Sequence, residues 1–187
     1  MCFFRAGPQL YYLERVSADI LRERLKPKIG IYVESTNHGV HREETWDFGA
    51  NAAGPLSMWV QFAVKPTSDV PLDDCEARLV RVTRLDEEKD QAVLEEPVLC
   101  LWSNTDKTSI RIPVGVTYQA NIFSMFSNNK ILFPVTLPRK VGLEKQIRLP
   151  GLFRLEVSVS ARDVPTRTVR FLFTWDGRPE NLSLRME

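Results

Sequence analysis

The stretch from Leu152 to Trp175 decides the fold of this chain: it reads LFRLEVSVSA, then RDVPT, then RTVRFLFTW. In the first and last segments apolar and polar residues alternate, which places the apolar side chains on one face of each extended strand. Because the middle segment contains Asp163 and Pro165, we expect the chain to reverse there as an antiparallel hairpin. A hairpin with one apolar face must bury that face against a second layer.

The rest of the chain after Pro27 continues as short segments of strand-like composition. They lie at 28–34, 56–64, 75–85, 93–102, 109–112, 116–123, 131–137 and 181–186, and turns rich in Gly, Pro, Asn and Asp separate them. Many short strands without intervening helices indicate an all-β sandwich or barrel. We expect the core to include Trp59, Trp102, Phe153, Phe171 and Trp175, and the hairpin to face Trp59 and Val82 or Leu101 of the other sheet.

An amphipathic helix is predicted from Gln9 to Lys26, and Pro27 ends it. Its apolar positions recur at helical spacing and are Leu10, Leu13, Val16, Ile20, Leu21 and Leu25. Two interpretations stay open: the helix packs across one end or face of the domain, or residues 10–26 form a short stalk that mediates self-association. The chain then divides into a lead-in and helix at 1–27 and a β-sandwich domain at 28–187.

The charge balance argues against a nucleic-acid partner. The chain has 25 Lys and Arg against 24 Asp and Glu, which gives a net charge of +1, and the basic residues are interleaved with acids. Proteins that bind phosphate backbones usually show a clear basic excess. The start, MCFFRAGP, lacks the pattern of a signal peptide. We therefore expect a cytoplasmic protein; the alternative is the cytoplasmic face of a membrane, reached only through an N-terminal segment missing from this sequence.

The three cysteines, Cys2, Cys75 and Cys100, have neither metal-ligand spacing nor the even number of a disulfide framework. One interpretation makes Cys75 and Cys100 buried free thiols that pack as small hydrophobic side chains. A disulfide between them is the alternative, and it requires that the protein be exported.

The polar stretch from Ser35 to Gly54 is interpreted as a long loop with a short edge strand at 44–48. It holds the only two histidines, His38 and His41, beside several carboxylates, a pattern that can bind zinc. Trp46 and Phe48 of the same loop form an aromatic pair that can stack on a sugar or anchor a partner protein. This stretch supplies the metal-ligand and binding candidates of the sequence.

Sequence motifs for catalysis or cofactor binding are absent. The chain has no G-x-S-x-G, no G-x-G-x-x-G and no phosphate-binding loop, so we predict no enzymatic activity and no cofactor. Two alternatives are kept: a carbohydrate-binding module that uses the 35–54 loop, and a metal-dependent hydrolase at His38 and His41.

Several framework motifs occur in a characteristic order: MWVQFAV around Trp59, DDCEARLVRV around Cys75, LCLW, an I-P-x-G turn, and FRLEVSVS followed by FLFTW. In this order the chain resembles the immunoglobulin-like β-sandwich domains of uncharacterised bacterial proteins, and it is loosely similar to bacterial cell-adhesion-related domains of that class. The resemblance covers Lys28 to Glu187. It implies an antiparallel β-sandwich without catalytic residues, and hence a protein-interaction or adaptor domain whose partner is another protein.

Overall fold

The computed structural model describes residues 18–33, 39–47, 52–86, 89–126, 131–132, 150–178 and 181–187. Within these ranges the chain forms one short helix and a series of β-strands. The helix, α1, spans residues 18–24. The strands are β1 (Ile29–Tyr32), β2 (Val40–Asp47), β3 (Ala52–Pro66), β4 (Leu72–Leu85), β5 (Gln91–Leu94), β6 (Val98–Leu99), β7 (Leu101–Trp102), β8 (Ser109–Ile112), β9 (Tyr118–Phe126), β10 (Ile131–Leu132), β11 (Gly151–Ala161), β12 (Val164–Trp175) and β13 (Ser183–Met186).

The strands make two antiparallel sheets that pack face to face. In the first sheet, β1 and β2 pair with one side of β3 and β9 pairs with the other, while β7 and β10 pair with the far side of β9. In the second sheet the order is β13-β12-β11-β4, and β8, β6 and β5 follow one another along the free side of β4. The predicted all-β sandwich is confirmed.

The hairpin of β11 and β12 is the longest strand pair of the second sheet. It pairs from Gly151 opposite Trp175 to Ala161 opposite Val164, as the alternating pattern predicts. The turn is tighter than expected, because only Arg162 and Asp163 separate the strands. Asp163 accepts the left-handed backbone of this turn with a φ of 57°.

The hairpin contacts the first sheet through aromatic residues of β3 and β9 that differ from the expected partners. Phe62 meets Phe171 with ring centroids 5.6 Å apart, and Phe123 meets Phe173 edge-on at 5.1 Å. The expected contact of the hairpin with Trp59 is wrong, because the fully buried Phe62, three residues further along β3, points to the opposite face.

The strand register also decides whether the other two expected contacts, with Val82 and Leu101, are made. Val82 lies opposite Leu155 in the same sheet as the hairpin, so it is no partner from the other sheet. Leu101 pairs with Asn121 on β9 and is half-buried. Four of the large residues named above are buried: Trp102, Phe153, Phe171 and Trp175, whereas Trp59 is half-buried.

One edge of the sandwich is closed by a single extended segment that changes sheets. β6 pairs with β4 in the second sheet and β7 pairs with β9 in the first, and only Cys100 lies between them. The backbone N–H of Cys100 donates to the carbonyl of Ala77 at 2.8 Å, which holds the crossing point against β4. The crossing carries Trp102 into the core and leaves the following residue, Ser103, beside the outer face of the first sheet.

The edge strand expected at 44–48 is confirmed over 44–47, whereas the interpretation of the remainder of 35–54 as a loop is wrong at 40–43 and 52–54, which are also strand. Residues 40–47 form β2, which pairs with β3 from Val40 opposite Val60 to Asp47 opposite Ala52. Residues 34–38 and 48–51 lie outside the described part. The polar composition that suggested a loop is also typical of an edge strand, where charged side chains discourage pairing with other chains.

Helix α1 covers the described end of the predicted Gln9–Lys26 helix; residues 9–17 lie outside the described ranges. Ile20, Leu21 and Leu25 are 53%, 58% and 61% exposed. The interpretation in which the helix packs on the domain is therefore wrong for residues 18–25. Among the described residues, no helix has the length and apolar character needed to cross a bilayer.

Candidate functional site

The binding and metal candidates from the sequence fall largely outside the described residues. His38 and Phe48 lie outside them, and His41 and Trp46 are described as backbone positions of β2, opposite Trp59 and Ala53. The metal site at His38 and His41 and the aromatic pair of Trp46 and Phe48 therefore stay predictions. Elsewhere in the described chain, no group of His, Cys, Asp and Glu side chains is arranged to hold a metal ion.

A cluster of neutral polar side chains lies on the outer face of the first sheet. It consists of Gln61 on β3, Asn121 on β9 and Ser103 after β7, and we call it the amide cluster. Gln61 Nε2 donates to Asn121 Oδ1 at 2.6 Å and to Ser103 Oγ at 2.8 Å, and Ser103 Oγ donates to Asn121 Oδ1 at 2.8 Å. Gln61 is 9% exposed and Asn121 is 8% exposed, so three adjacent elements share one nearly buried hydrogen-bonded triangle.

The register of β3 and β9 brings the amide cluster together. Val60 lies opposite Phe123, and the next pair is Gln61 opposite Asn121, so Ile122 is an extra residue in β9. This bulge keeps Phe123 facing the core while Asn121 faces outward beside Gln61. No local sequence pattern marks a bulge at this position, which is why reasoning from sequence missed the cluster.

The amide cluster leaves two hydrogen-bonding atoms unused. The triangle occupies Gln61 Nε2, Ser103 Oγ and Asn121 Oδ1, whereas Gln61 Oε1 and Asn121 Nδ2 have no hydrogen-bond partner among the described residues. Among the described residues, the buried side-chain atom that lacks a hydrogen-bond partner is Arg84 Nε. Gln61 Oε1 and Asn121 Nδ2 are therefore not fully buried. One acceptor and one donor on adjacent strands therefore retain access to solvent.

Aromatic residues flank the amide cluster on the same face. Trp59, two residues before Gln61 on β3, is half-buried. At about 3.3 Å per residue, its backbone lies about 7 Å from that of Gln61. Tyr32 lies on the other side of the cluster, opposite Ala63. Lys65 Nζ sits 5.1 Å from the centre of the Tyr32 ring, and Tyr32 Oη is 2.9 Å from Thr117 Oγ1.

The outer face of the second sheet is charged and internally neutralised. Arg154 makes a bidentate pair with Glu187, with N–O distances of 2.8 Å, and Arg170 Nε lies 2.8 Å from Glu156 Oε1. The hydrogen bonds from Arg154 hold the pKa of the Glu187 carboxyl below its usual range. Because each of these guanidinium groups already faces a carboxylate, this surface is typical of a solvated sheet face rather than an anion-binding site.

The thiols of Cys75 and Cys100 are free and buried, so the free-thiol interpretation is confirmed and the disulfide is wrong. Burial raises the pKa of each thiol to about 12. A thiol reacts as a thiolate, so neither group is an effective nucleophile at neutral pH.

Exposed apolar residues concentrate at one end of the sandwich. Thr67 N donates to Lys28 O at 2.9 Å and Lys28 N donates to Ser68 Oγ at 3.1 Å, which ties the segment after α1 to the loop between β3 and β4. That loop leads into Leu72, which pairs with Ile112 at the end of β8. The turn at 113–116 therefore emerges at the same end, and we call α1, the 67–71 loop and this turn the N-terminal end.

The turn at 113–116 is a tight hydrogen-bonded turn with two exposed valines. Val116 N donates to Pro113 O at 3.2 Å, and Gly115 has a φ of 77°. Positive φ at the third position is the requirement of a type II turn, which Gly meets without strain. The turn leaves Val114 47% exposed and Val116 38% exposed.

Comparisons with known proteins returned no relative: no protein-family model, no curated protein and no solved structure matches this chain.

Proposed function

We propose that this chain is a non-enzymatic protein-interaction domain, an immunoglobulin-like sandwich that associates with a second copy of itself through its N-terminal end. One observation carries the proposal. Of the six large hydrophobic residues exposed in the described part of the chain, five lie at the N-terminal end. They are Ile20, Leu21, Leu25, Val114 and Val116, and the sixth, Met186, lies on β13. Exposed apolar groups collected in one region are typical of a protein interface.

The sides of helix α1 differ in a way that suits pairing with an identical helix. At about 100° per residue, Ile20, Leu21 and Leu25 fall within an arc of about 140°. The opposite side carries Asp19 with Arg22 and Glu23 with Lys26, two ion pairs between residues three positions apart. These ion pairs neutralise the charged side of the helix without a partner chain. The apolar side is therefore the surface that remains to be covered. An amphipathic helix buries such a surface against an apolar groove or another helix.

Two observations support the remaining parts of the proposal. The immunoglobulin-like class is supported by two packed antiparallel sheets and by the segment that changes sheets between β6 and β7. The raised pKa of Cys75 and Cys100 leaves these thiols protonated at neutral pH, which disfavours a nucleophilic role for either thiol.

The test compares the mass of the protein in solution with that of a helix variant. In Ile20→Gln/Leu21→Gln/Leu25→Gln the helix propensity is largely kept and the apolar surface is removed. Sedimentation equilibrium should show concentration-dependent association of the wild-type chain and a monomeric variant. Met186→Gln is the matched control, because Met186 is 44% exposed yet lies away from the N-terminal end, and it should associate like the wild type.

Two results contradict the proposal. The first is a wild-type chain that stays monomeric at the highest concentration measured. The second is a helix variant that associates as strongly as the wild type. A further variant, Val114→Thr/Val116→Thr, keeps side-chain volume and measures the contribution of the turn, which we expect to weaken association less than the helix substitutions do.

A further inference from the structure

We infer that the outer face of the first sheet binds a neutral saccharide, with the amide cluster as the polar contact and Trp59 as the stacking surface. This site is separate from the N-terminal end and does not depend on the proposed self-association. It also differs from the Trp46 and Phe48 pair, which the sequence singled out. Four features of the described residues support the inference.

The first feature is the pair of unused atoms in the amide cluster. Gln61 Oε1 is an acceptor and Asn121 Nδ2 is a donor, and their residues are direct cross-strand neighbours. Each sugar hydroxyl both donates and accepts hydrogen bonds, so two adjacent hydroxyls complement such a pair. Both atoms retain access to solvent, and a bound pair of hydroxyls would replace water as their hydrogen-bond partner.

The second feature is the rigidity of the amide cluster. Gln61 Nε2 is held by two acceptors and Asn121 Oδ1 accepts from two donors, so the orientation of both amide planes is fixed before a ligand arrives. Flexible amide side chains normally lose conformational entropy when they bind, and that cost is reduced when they are already ordered. The triangle therefore positions a recognition surface as well as joining three elements.

The third feature is Trp59, which is half-buried and lies on the same face. An aromatic ring offers an apolar surface to the C–H groups of a sugar while neighbouring polar groups bind its hydroxyls. Tyr32, on the far side of Gln61 and opposite Ala63, gives the face a second aromatic residue. With about 3.3 Å per residue, Trp59 and Ala63 are about 13 Å apart along β3, so the face suits a chain of sugars rather than a single ring.

The fourth feature is the absence of charge from the amide cluster, since Gln61, Ser103 and Asn121 are all neutral. Lys65, four residues after Gln61 on the same face, already makes a cation–π contact with the ring of Tyr32. Recognition of a phosphate, a sulfate or a uronic acid would require arginine or lysine beside the hydrogen-bonding groups. The cluster therefore favours neutral sugars over anionic ones.

The test uses the full chain and four defined probes: cellohexaose, xylohexaose and mannohexaose as neutral oligosaccharides, and polygalacturonate as an anionic one. NMR titration follows the side-chain amide signals of Gln61 and Asn121 and the indole signal of Trp59. We expect at least one neutral oligosaccharide, and not polygalacturonate, to shift all three signals. The inference is overturned if no neutral probe shifts them, or if the anionic polymer alone does.

Two variants separate a binding role from a structural one. Asn121→Asp keeps both hydrogen bonds accepted by the residue and replaces its free donor with an acceptor, and Trp59→Ala removes the stacking surface. Each should weaken binding by about tenfold, as expected for one lost hydrogen bond or ring contact. Circular dichroism and the melting temperature establish that each variant is folded. If Asn121→Asp does not fold, Trp59→Ala alone decides.

Controls come from the other end of the molecule. Val114→Thr/Val116→Thr and the helix variant should bind the oligosaccharide like the wild type. Sugar binding that both site variants retain in full would overturn the inference, even if self-association through the helix holds. Sugar binding that is lost only in the helix variant would place the ligand elsewhere and would overturn it as well.

Discussion

Arg167 donates a hydrogen bond from its guanidinium Nη1 to the backbone carbonyl of Ile29 at 2.6 Å, and this bond joins the two sheets. Arg167 lies on β12 of the second sheet, and Ile29 begins β1 of the first. At the opposite side of the sandwich the chain itself crosses between the sheets at Cys100. One side is thus closed by the backbone and the other by a charged side chain bound to a carbonyl.

Removing this bond should destabilise the fold. In Arg167→Met the aliphatic stem is kept and the donor is lost, so we expect the free energy of unfolding to fall by about 1.5–3 kcal/mol, as for other hydrogen bonds to charged groups. Urea denaturation measures the change. Arg170→Met is the matched control on the same strand: its ion pair with Glu156 is exposed, and such pairs contribute about 0–1 kcal/mol. Equal effects of the two substitutions would contradict the closing role of Arg167.

The contact between Phe123 and Phe173 should appear as a coupling energy across the sheets. Their rings meet edge-on, with an interplanar angle of 90°. A double-mutant cycle of Phe123→Leu and Phe173→Leu is expected to give a coupling of about 0.5–1.5 kcal/mol. Phe62 contacts Phe171 instead, so Phe62→Leu with Phe173→Leu should be closer to additive. Strict additivity of the Phe123 and Phe173 substitutions would show that the sheets pack differently.

Sequence periodicity predicted the hairpin well because only one of its faces is apolar. Phe153 and Leu155 point into the core, while Arg154 and Glu156 point outward and form ion pairs. Strand β3 has apolar residues on both faces, so the pattern alone did not establish that Phe62, and not Trp59, faces the other sheet. Alternation gives two faces, and the choice between them depends on the rest of the fold.

The amide cluster depended on information that a single sequence does not contain. Gln61, Ser103 and Asn121 are distant in the chain, and they meet only because of the bulge at Ile122 and the crossing between β6 and β7. The polar stretch around β2 posed a related difficulty, because edge strands and loops share a charged composition. Register and edge position are set by pairing partners, which local composition does not specify.

Alanine substitutions at two glycines with positive φ distinguish the cost of backbone strain from the cost of steric overlap. A Cβ at Gly39 would lie 2.9 Å from Leu184 Cβ and 2.9 Å from Val33 Cγ1, whereas a Cβ at Gly115 meets nothing within 4 Å. Gly115→Ala should cost about 1–2 kcal/mol, the penalty of the left-handed conformation. Gly39→Ala adds an overpacking cost of about 1–3 kcal/mol. Thermal unfolding should rank the variants in that order, and equal melting temperatures would contradict the tight packing around Gly39.

The two buried thiols predict how stability changes at alkaline pH. Burial raises the pKa of Cys75 and of Cys100 to about 12, whereas the pKa of a thiol in an unfolded chain is about 8.5. Between these values the folded chain holds protons that the unfolded chain has released. The unfolded state therefore binds fewer protons, and by linkage the free energy of unfolding must fall as the pH rises. Below this window the thiols are protonated in both states and contribute no pH dependence.

We expect each thiol to lower the free energy of unfolding by up to about 1.4 kcal/mol per pH unit above about pH 9. Urea denaturation from neutral to alkaline pH measures the slope in a Cys2→Ser background. The comparison is with Cys75→Ala/Cys100→Ala in the same background, which is less stable at neutral pH but should lose less stability as the pH rises. Lysine and tyrosine titration affects both proteins alike, so the difference between their slopes isolates the thiols. Parallel slopes would mean that the thiols ionise in the folded chain as readily as in the unfolded one.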